Sequence, residues 1–448
     1  MSNFIIKNIG SDRITLAGAD GTVVEIQNQL SELKTLLQNQ QVQNVQYADK
    51  IYNIEHIDEA NFGMLTGKKP FNEHLTKALI EHIQNDCGAA RKFLERVTAI
   101  PEWEAQSNIS DKAKEVIAYS FIGPIGTQLS KLMAIGKEGF SDEKQRKYLE
   151  KCLFIVKKTL DLVTFAFLST GWDLLKNQSL PLTAAQKQLL QQRFDTAFEP
   201  SISDQFRLLQ LLSDLFTAHA DRLIPPFSEW SKVAPQLRDD SALHQNTKQW
   251  KALGAKLDKA QYDVLDCAEA ERCLADFFGH FYFLVNYQMA SIKHIGYHQS
   301  RNTDPRFLHR YLALGIDSKA NVDAEKVNFI PEPVTTDAVL LYRGDYKIHT
   351  NLFPFVIDFN ALQFEHGAKI CFFQSKNLTD GSLEYLFLEN NTLEYIEKKG
   401  LVQQGGDLND LLLKEENQKI MKLDSVVDQF NAARACLLAE ISVDFSDL

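Results

Sequence analysis

The sequence predicts a mainly α, multidomain protein: a large helical domain with a small N-terminal β/helix module and a C-terminal α+β module. Three observations carry this. From about residue 70 to about residue 313, apolar residues recur at intervals of three and four, the period of an amphipathic helix. Toward both ends the text changes to short runs rich in β-branched and aromatic residues, punctuated by Gly, Asn and Asp. With 448 residues the chain is long enough for two or three cores. The expected divisions are 1–66, an N-terminal β-unit with a short helix and a docking arm; 67–315, all-α; and 316–448, α+β.

In chain order, the first run alternates apolar and polar positions around Gly10, Gly18 and Gly21, with "GADG" as a turn between strands. Ile26, Leu30, Leu33, Leu36 and Leu37 then make one apolar helical stripe, and the Gln/Asn-rich "QNQQVQNVQ" is expected to be a polar linker. The arm "KIYNIEHIDEANF" places Ile51, Ile54 and Ile57 at intervals of three, which fits neither a strand nor an α-helix. Pro70 is expected at the first position of the next helix, whose face carries Leu75, Leu79, Ile80 and Ile83. A longer helix opens with Ser141 as its N-cap. Near Phe277, Phe278 and Phe281 the pattern is apolar on every side, which places that helix at the centre of the domain. The prolines of "NFIPEPVTTDA" mark a boundary; five strand-like runs and a last helix over about 415–440 follow.

Composition narrows the function classes. A net charge of −11 repels phosphate, so general polyanion binding is excluded while a local basic site is not. The N-terminus has no secretion signal, and the most apolar runs are too short to span a bilayer, so a cytoplasmic location is expected. The six cysteines show no C-x-x-C spacing, which predicts reduced, mostly buried thiols and no zinc site.

Four stretches invite chemistry. In "GMLTGKKPF" only three residues separate Gly63 and Gly67, and Lys69 stands where a phosphate loop needs a hydroxyl, so an ordinary loop is expected. The segment "KHIGYHQSRNTDPRFLHRY" carries Lys293, His294, His298, Arg301, Arg306, His309 and Arg310, the densest cationic stretch of an acidic chain. It predicts an anion site for a phosphate-containing ligand or a nucleic-acid backbone, set against a solvated helix end. His294 and His298 have the i, i+4 spacing of metal ligands on a helix, but a third ligand is missing, and no metal or cofactor is expected. His366 and Cys371 are the residues of a Cys–His dyad, set against a cysteine packed in an apolar strand. Asp358, alone among apolar strand residues, is expected to pair with a cation such as Arg343.

The β-unit with Gly turns, the helix "EIQNQLSELKTLLQ" and "QYADKIYNI" together resemble the N-terminal regions of effector-associated and adaptor modules of bacterial STAND/NACHT-type conflict systems, over roughly residues 1–65. The resemblance implies a regulatory subunit in antiviral defence that docks on a protein partner, a STAND/NACHT-type NTPase or effector, through Ile51, Ile54 and Ile57. It implies an accessory role, since the NTPase loop is missing. The sequence reading is therefore a non-enzymatic adaptor, with a sensor of phosphate-containing ligand or nucleic acid through residues 293–310 as the alternative, and an enzyme built around His366 or Asp358 as a third, weaker one. Homo-oligomers are compatible with either of the first two.

Overall fold

The computed structural model describes residues 71–438 apart from 136–140, 176–177, 179, 317–324, 331–333, 345–348 and 401–413, together with the backbone of five strands before residue 54. Those strands are β1 (Phe4–Ile9), β2 (Arg13–Gly18), β3 (Val23–Gln27), β4 (Asn44–Tyr47) and β5 (Lys50–Asn53), in the order β3-β2-β1-β4-β5. β1 and β4 run parallel and the other neighbours antiparallel. Ile26 therefore belongs to a strand and not to the helical stripe. The expected polar linker ends in β4, and Ile51 sits in β5. Leu30 to Leu37, Ile54, Ile57 and the "GMLTGKKP" loop lie outside the described residues.

The helical part begins with α1 (Glu73–Ile83), preceded by Asn72, whose side chain makes no cap, so Glu73 and not Pro70 takes the first helical position. Leu75, Leu79, Ile80 and Ile83 are buried, as their spacing requires. The carboxylate of Glu271 accepts the N–H groups of Asn72 and Leu75 at 3.1 and 2.9 Å, satisfying two donors that a helix start leaves orphaned. There follow α2 (Gly88–Val97), α3 (Ser107–Ser120), α4 (Gly123–Ile135), α5 (Asp142–Leu175), α6 (Ala184–Phe194), α7 (Ile202–Ala218), α8 (Ala242–Asp258) and α9 (Val264–Phe281). The 34 residues of α5 extend about 51 Å at 1.5 Å per residue, and α4, α7, α8 and α9 pack on it. From Leu160 to Ser169 every residue of α5 is buried, the signature of a helix with neighbours on all sides. No helix among the described residues is long and apolar enough to cross a membrane.

The helical stretch ends at Asn286, earlier than the expected 315. β6 (Gln288–His298) and β7 (Arg306–Ala313) form a hairpin. With β8 (Glu325–Ile330), β9 (Val339–Tyr342) and β10 (His349–Asn351) it makes an antiparallel sheet in the order β10-β9-β6-β7-β8. A second antiparallel sheet runs β11 (Val356–Asp358), β12 (Ile370–Lys376), β13 (Leu383–Phe387) and β14 (Thr392–Ile396), and α10 (Glu415–Leu437) closes the described chain.

One apolar core runs from the helices into this second sheet. Phe165 of α5 stacks on Phe355 at 5.6 Å and meets Phe372 edge-on at 5.9 Å, and Phe430 of α10 lies 4.5 Å from Phe373. Arg193 at the end of α6 inserts its guanidinium between Phe165 and Phe373, 4.9 and 4.8 Å from the ring centres, and donates to the carbonyls of Phe373 and Gln374.

Candidate functional site

The cationic segment 293–310 folds as a hairpin, so its side chains sort by strand parity and not by helical pitch. The chain turns between β6 and β7 at Ser300–Asp304, where Asn302 holds a left-handed φ of 63° and Thr303 bonds back to Ser300. A register shift lies between Ile292 and His294. Beyond it His294 faces Arg310, Gly296 faces Leu308 and His298 faces Arg306. Directly paired residues share a face, and so do residues two apart along a strand. The register therefore gathers His294, His298, Arg306 and Arg310 on one exposed face, with only Gly296 and Leu308 between them. On the third strand Val327, 57% exposed, pairs with Arg310 and extends the same face. Arg301 is exposed in the turn.

Two of the seven expected cations leave this set. Lys293, at the register shift, turns inward; its ammonium reaches the Asp358 carboxylate and the carbonyl of Gly367. His309 points to the opposite face and is wholly buried; burial, and then repulsion from His349, lower its pKa and keep it neutral. The arginines of the segment are electrically bare: Arg301, Arg306 and Arg310 form no ion pair with any described residue. This sets them apart from Lys157, Lys158 and Arg343, each of which holds a carboxylate within 3 Å.

The helical metal pair does not survive. His294 and His298 share a face, but four residues along a strand separate their Cα atoms by about 13 Å. No group of three or more metal-binding side chains occurs among the described residues.

The other candidates resolve as structure. Asp358, fully buried, is paired with Lys293 and not with the expected Arg343, which holds Glu229 at 2.9 Å. Its remaining acceptor sites take the Ser291 hydroxyl at 2.6 Å and the N–H of Lys369 at 2.8 Å, so this charge joins the two C-terminal sheets. Cys371 is buried in β12, where burial pushes its thiol well above the usual range, while His366 lies exposed in the preceding loop. A sulfur kept neutral and enclosed in this way is not a nucleophile.

Sequence reading found the cationic residues but not their common face. The available signal was "NTDP", a turn between two runs that alternate polar and apolar residues. It missed altogether the buried charges at the heart of the helical part. There Lys158 holds Asp161 and Glu199, both at 2.9 Å, Lys157 holds Glu199 at 2.8 Å, and Gln205 donates to Asp161 at 2.7 Å. Comparison with family models, with curated proteins and with solved structures finds no match.

Proposed function

We propose that the chain is a binding protein whose β6–β7 face takes the phosphate backbone of a nucleic acid. The observation that supports this is the register: it sets His294 beside Arg310 and His298 beside Arg306 on one exposed face, with no carboxylate among the described residues to neutralise the arginines. Arg306 and Arg310 are therefore left to pair with an anion from outside the chain, and a phosphate takes charge-assisted hydrogen bonds from a guanidinium. The face is exposed, and Arg306 and Arg310 lie about 13 Å apart along their strand. That span suits non-adjacent phosphates of a polymer better than one enclosed phosphate, because successive phosphates lie closer together. A chain of net charge −11 repels polyanions elsewhere, which confines binding to this face and fixes its orientation.

The test is fluorescence anisotropy with a short labelled single-stranded oligonucleotide. Arg306→Glu with Arg310→Glu is expected to abolish binding. Neutralising both to Gln is expected to flatten the slope of log K against log salt by about 1.4, at about 0.7 for each phosphate left without its cation. Binding that ignores salt and survives both pairs of substitutions would sink the proposal.

A second reading keeps the N-terminal module as the docking piece of a defence-system adaptor. One observation favours it. β5, which carries Ile51, ends the sheet order and pairs only with β4 among the described residues, and such an edge can accept a partner strand. Deleting residues 1–66 is then expected to abolish capture of the partner protein while the oligonucleotide still binds.

A further inference from the structure

The loop that follows β11 carries an aromatic ring on strained backbone. A four-residue helical turn, Phe359–Leu362, leaves β11 and packs on β6. It closes with the N–H of Phe364 on the carbonyl of Ala361 at 3.4 Å and the N–H of Glu365 on that of Asn360 at 2.8 Å. This closure puts the residue after the cap in the left-handed region, where glycine is the usual occupant. Here it is Phe364, with a φ of 58°. A bulky side chain is rare in that conformation and costs free energy there. Full burial does not offset the cost, because Phe364 is 45% exposed.

The ring is nevertheless fixed. The ammonium of Lys422, from α10, lies 4.0 Å from its centre. That ammonium is itself bound to Asp337 at 2.7 Å and to the carbonyl of Ala361 at 3.0 Å. Asp337 is a second left-handed residue, at φ 61°, and is buried. Two strained residues thus converge on one cation that holds one exposed ring. Strained backbone fixed by its surroundings clusters at binding sites.

The loop is tied to β6 on the side of the arginines. Ser291 pairs with Leu312, two residues from Arg310, so its hydroxyl leaves the sheet on the face that Arg310 shares. That hydroxyl donates to Asp358, the residue that opens the loop, and Lys293 binds both Asp358 and the carbonyl of Gly367, three residues past Phe364. His294, the next residue of β6, begins the exposed set, with Arg310 opposite. Tyr297, the exposed aromatic of the hairpin itself, alternates with His298 and so lies on the other face, where its ring meets Phe307. Glu365, exposed next to Phe364, repels phosphate, so this loop suits a base of a nucleic acid and not its backbone.

We infer that Phe364 is a stacking platform for an unpaired base, and that the ligand of the β6–β7 face is a single strand and not a duplex. The inference rests on the phosphate-binding reading of that face. Arg306 and Arg310 take the backbone, and the side of the Phe364 ring away from Lys422 takes the flat of a base, whichever base it is. A duplex keeps its bases stacked on one another and must lose that energy before it can offer one.

The test is fluorescence anisotropy of the full chain with three labelled probes of one length: a single-stranded oligonucleotide, the same backbone with abasic sites throughout, and the duplex. The wild-type chain is expected to bind the single strand about tenfold more tightly than the abasic probe, the size of one base–aromatic contact. It is expected to prefer the single strand to the duplex as well. Phe364→Gly removes the ring and supplies the residue that the left-handed backbone favours. Its melting temperature is expected to hold or rise, its binding of the abasic probe to stay unchanged, and its preference for bases to disappear. Phe364→Trp is expected to keep that preference. The probe comparison is made on the wild-type chain, so it does not depend on any variant folding. Binding of no probe at all would overturn the inference together with the reading of the face. Binding that needs Arg306 and Arg310 but ignores the bases, a duplex bound as tightly as the single strand, or a Phe364→Gly variant that keeps the preference would overturn the inference alone.

Discussion

The buried charges of the helical part and the exposed charges of the β6–β7 face handle the same chemistry in opposite ways. Lys158, fully buried, is enclosed by two carboxylates, and Arg193 is sandwiched by two rings and two carbonyls. Arg306 and Arg310 face histidines and hold no carboxylate among the described residues. In a low-dielectric interior an uncompensated charge costs several kcal/mol, so every buried cation must arrive with its partner. At the surface water does that work, and a cation can be left for a ligand. The difference separates charge that builds the fold from charge available for binding.

The strongest way to break this comparison is to remove one charge from each region. Lys158→Met leaves Asp161 and the half-enclosed Glu199 without their shared cation and is expected to cost about 3–5 kcal/mol in urea unfolding. Arg306→Gln is expected to stay within about 0.5 kcal/mol of wild type, the usual range for a surface position. Equal effects would mean that the two sets of charges are not physically distinct.

Acid sharpens the same point. Burial alone would raise the Glu199 carboxyl, but the attraction of Lys158 and then Lys157 outweighs it and carries the pKa from 4.5 down to about 2. A carboxyl depressed in the folded state gives stability that is complete above about pH 4.5 and is lost as pH falls toward 2. The shift corresponds to roughly 3 kcal/mol, measurable as a falling denaturation midpoint across that window. Glu199→Gln is expected to be less stable at neutral pH and to show a shallower loss between pH 4.5 and 2. An unchanged pH profile in that variant would remove Glu199 from the network.

Two glycines carry the comparison from charge to packing. Gly126 lies inside α4, where a Cβ would sit 2.2 Å from the carbonyl oxygen of Ala118, a backbone atom that cannot step aside. Gly126→Ala is expected to lose about 2 kcal/mol although alanine favours helix. At Gly254, where the space is open, the same change is expected to gain about 0.5–1 kcal/mol. Thermal melts of the two variants should move in opposite directions.

What the sequence makes legible follows from the range of each interaction. The faces of α1, α5 and α9 are visible because a helix is specified by residues three and four apart. The five C-terminal strands are visible because alternation and turn residues are equally local. The β6–β7 hairpin is not, because "ASIKHIGYH" is a short mixed run whose period alone does not separate helix from strand. Wound as a continuous helix, that stretch would spread His294, His298, Arg306 and Arg310 over about 160° of its surface instead of setting them in two cross-strand pairs. The inward turn of Lys293 depends on a register shift and on Asp358, 65 positions away, and no local pattern encodes either. The buried charges around Lys158 arise where α5, α6 and α7 meet, so they exist only after the chain has packed.

The smallest expected effect tests the origin of the exposed face most directly. If Arg306 and Arg310 share this face for the sake of a ligand, their mutual repulsion costs the free protein a small amount of stability at low salt. Arg310→Thr removes the charge and supplies a residue suited to a strand, so it is expected to stabilise the free protein by about 0.2–0.5 kcal/mol at low salt. The gain should vanish at high salt, because screening already relieves repulsion between exposed charges. The same substitution is expected to weaken oligonucleotide binding. Stability and binding moving in opposite directions is the mark of a charge kept for a partner. A substitution that lowers both would mean that Arg310 holds the sheet together, and the face would then be structural.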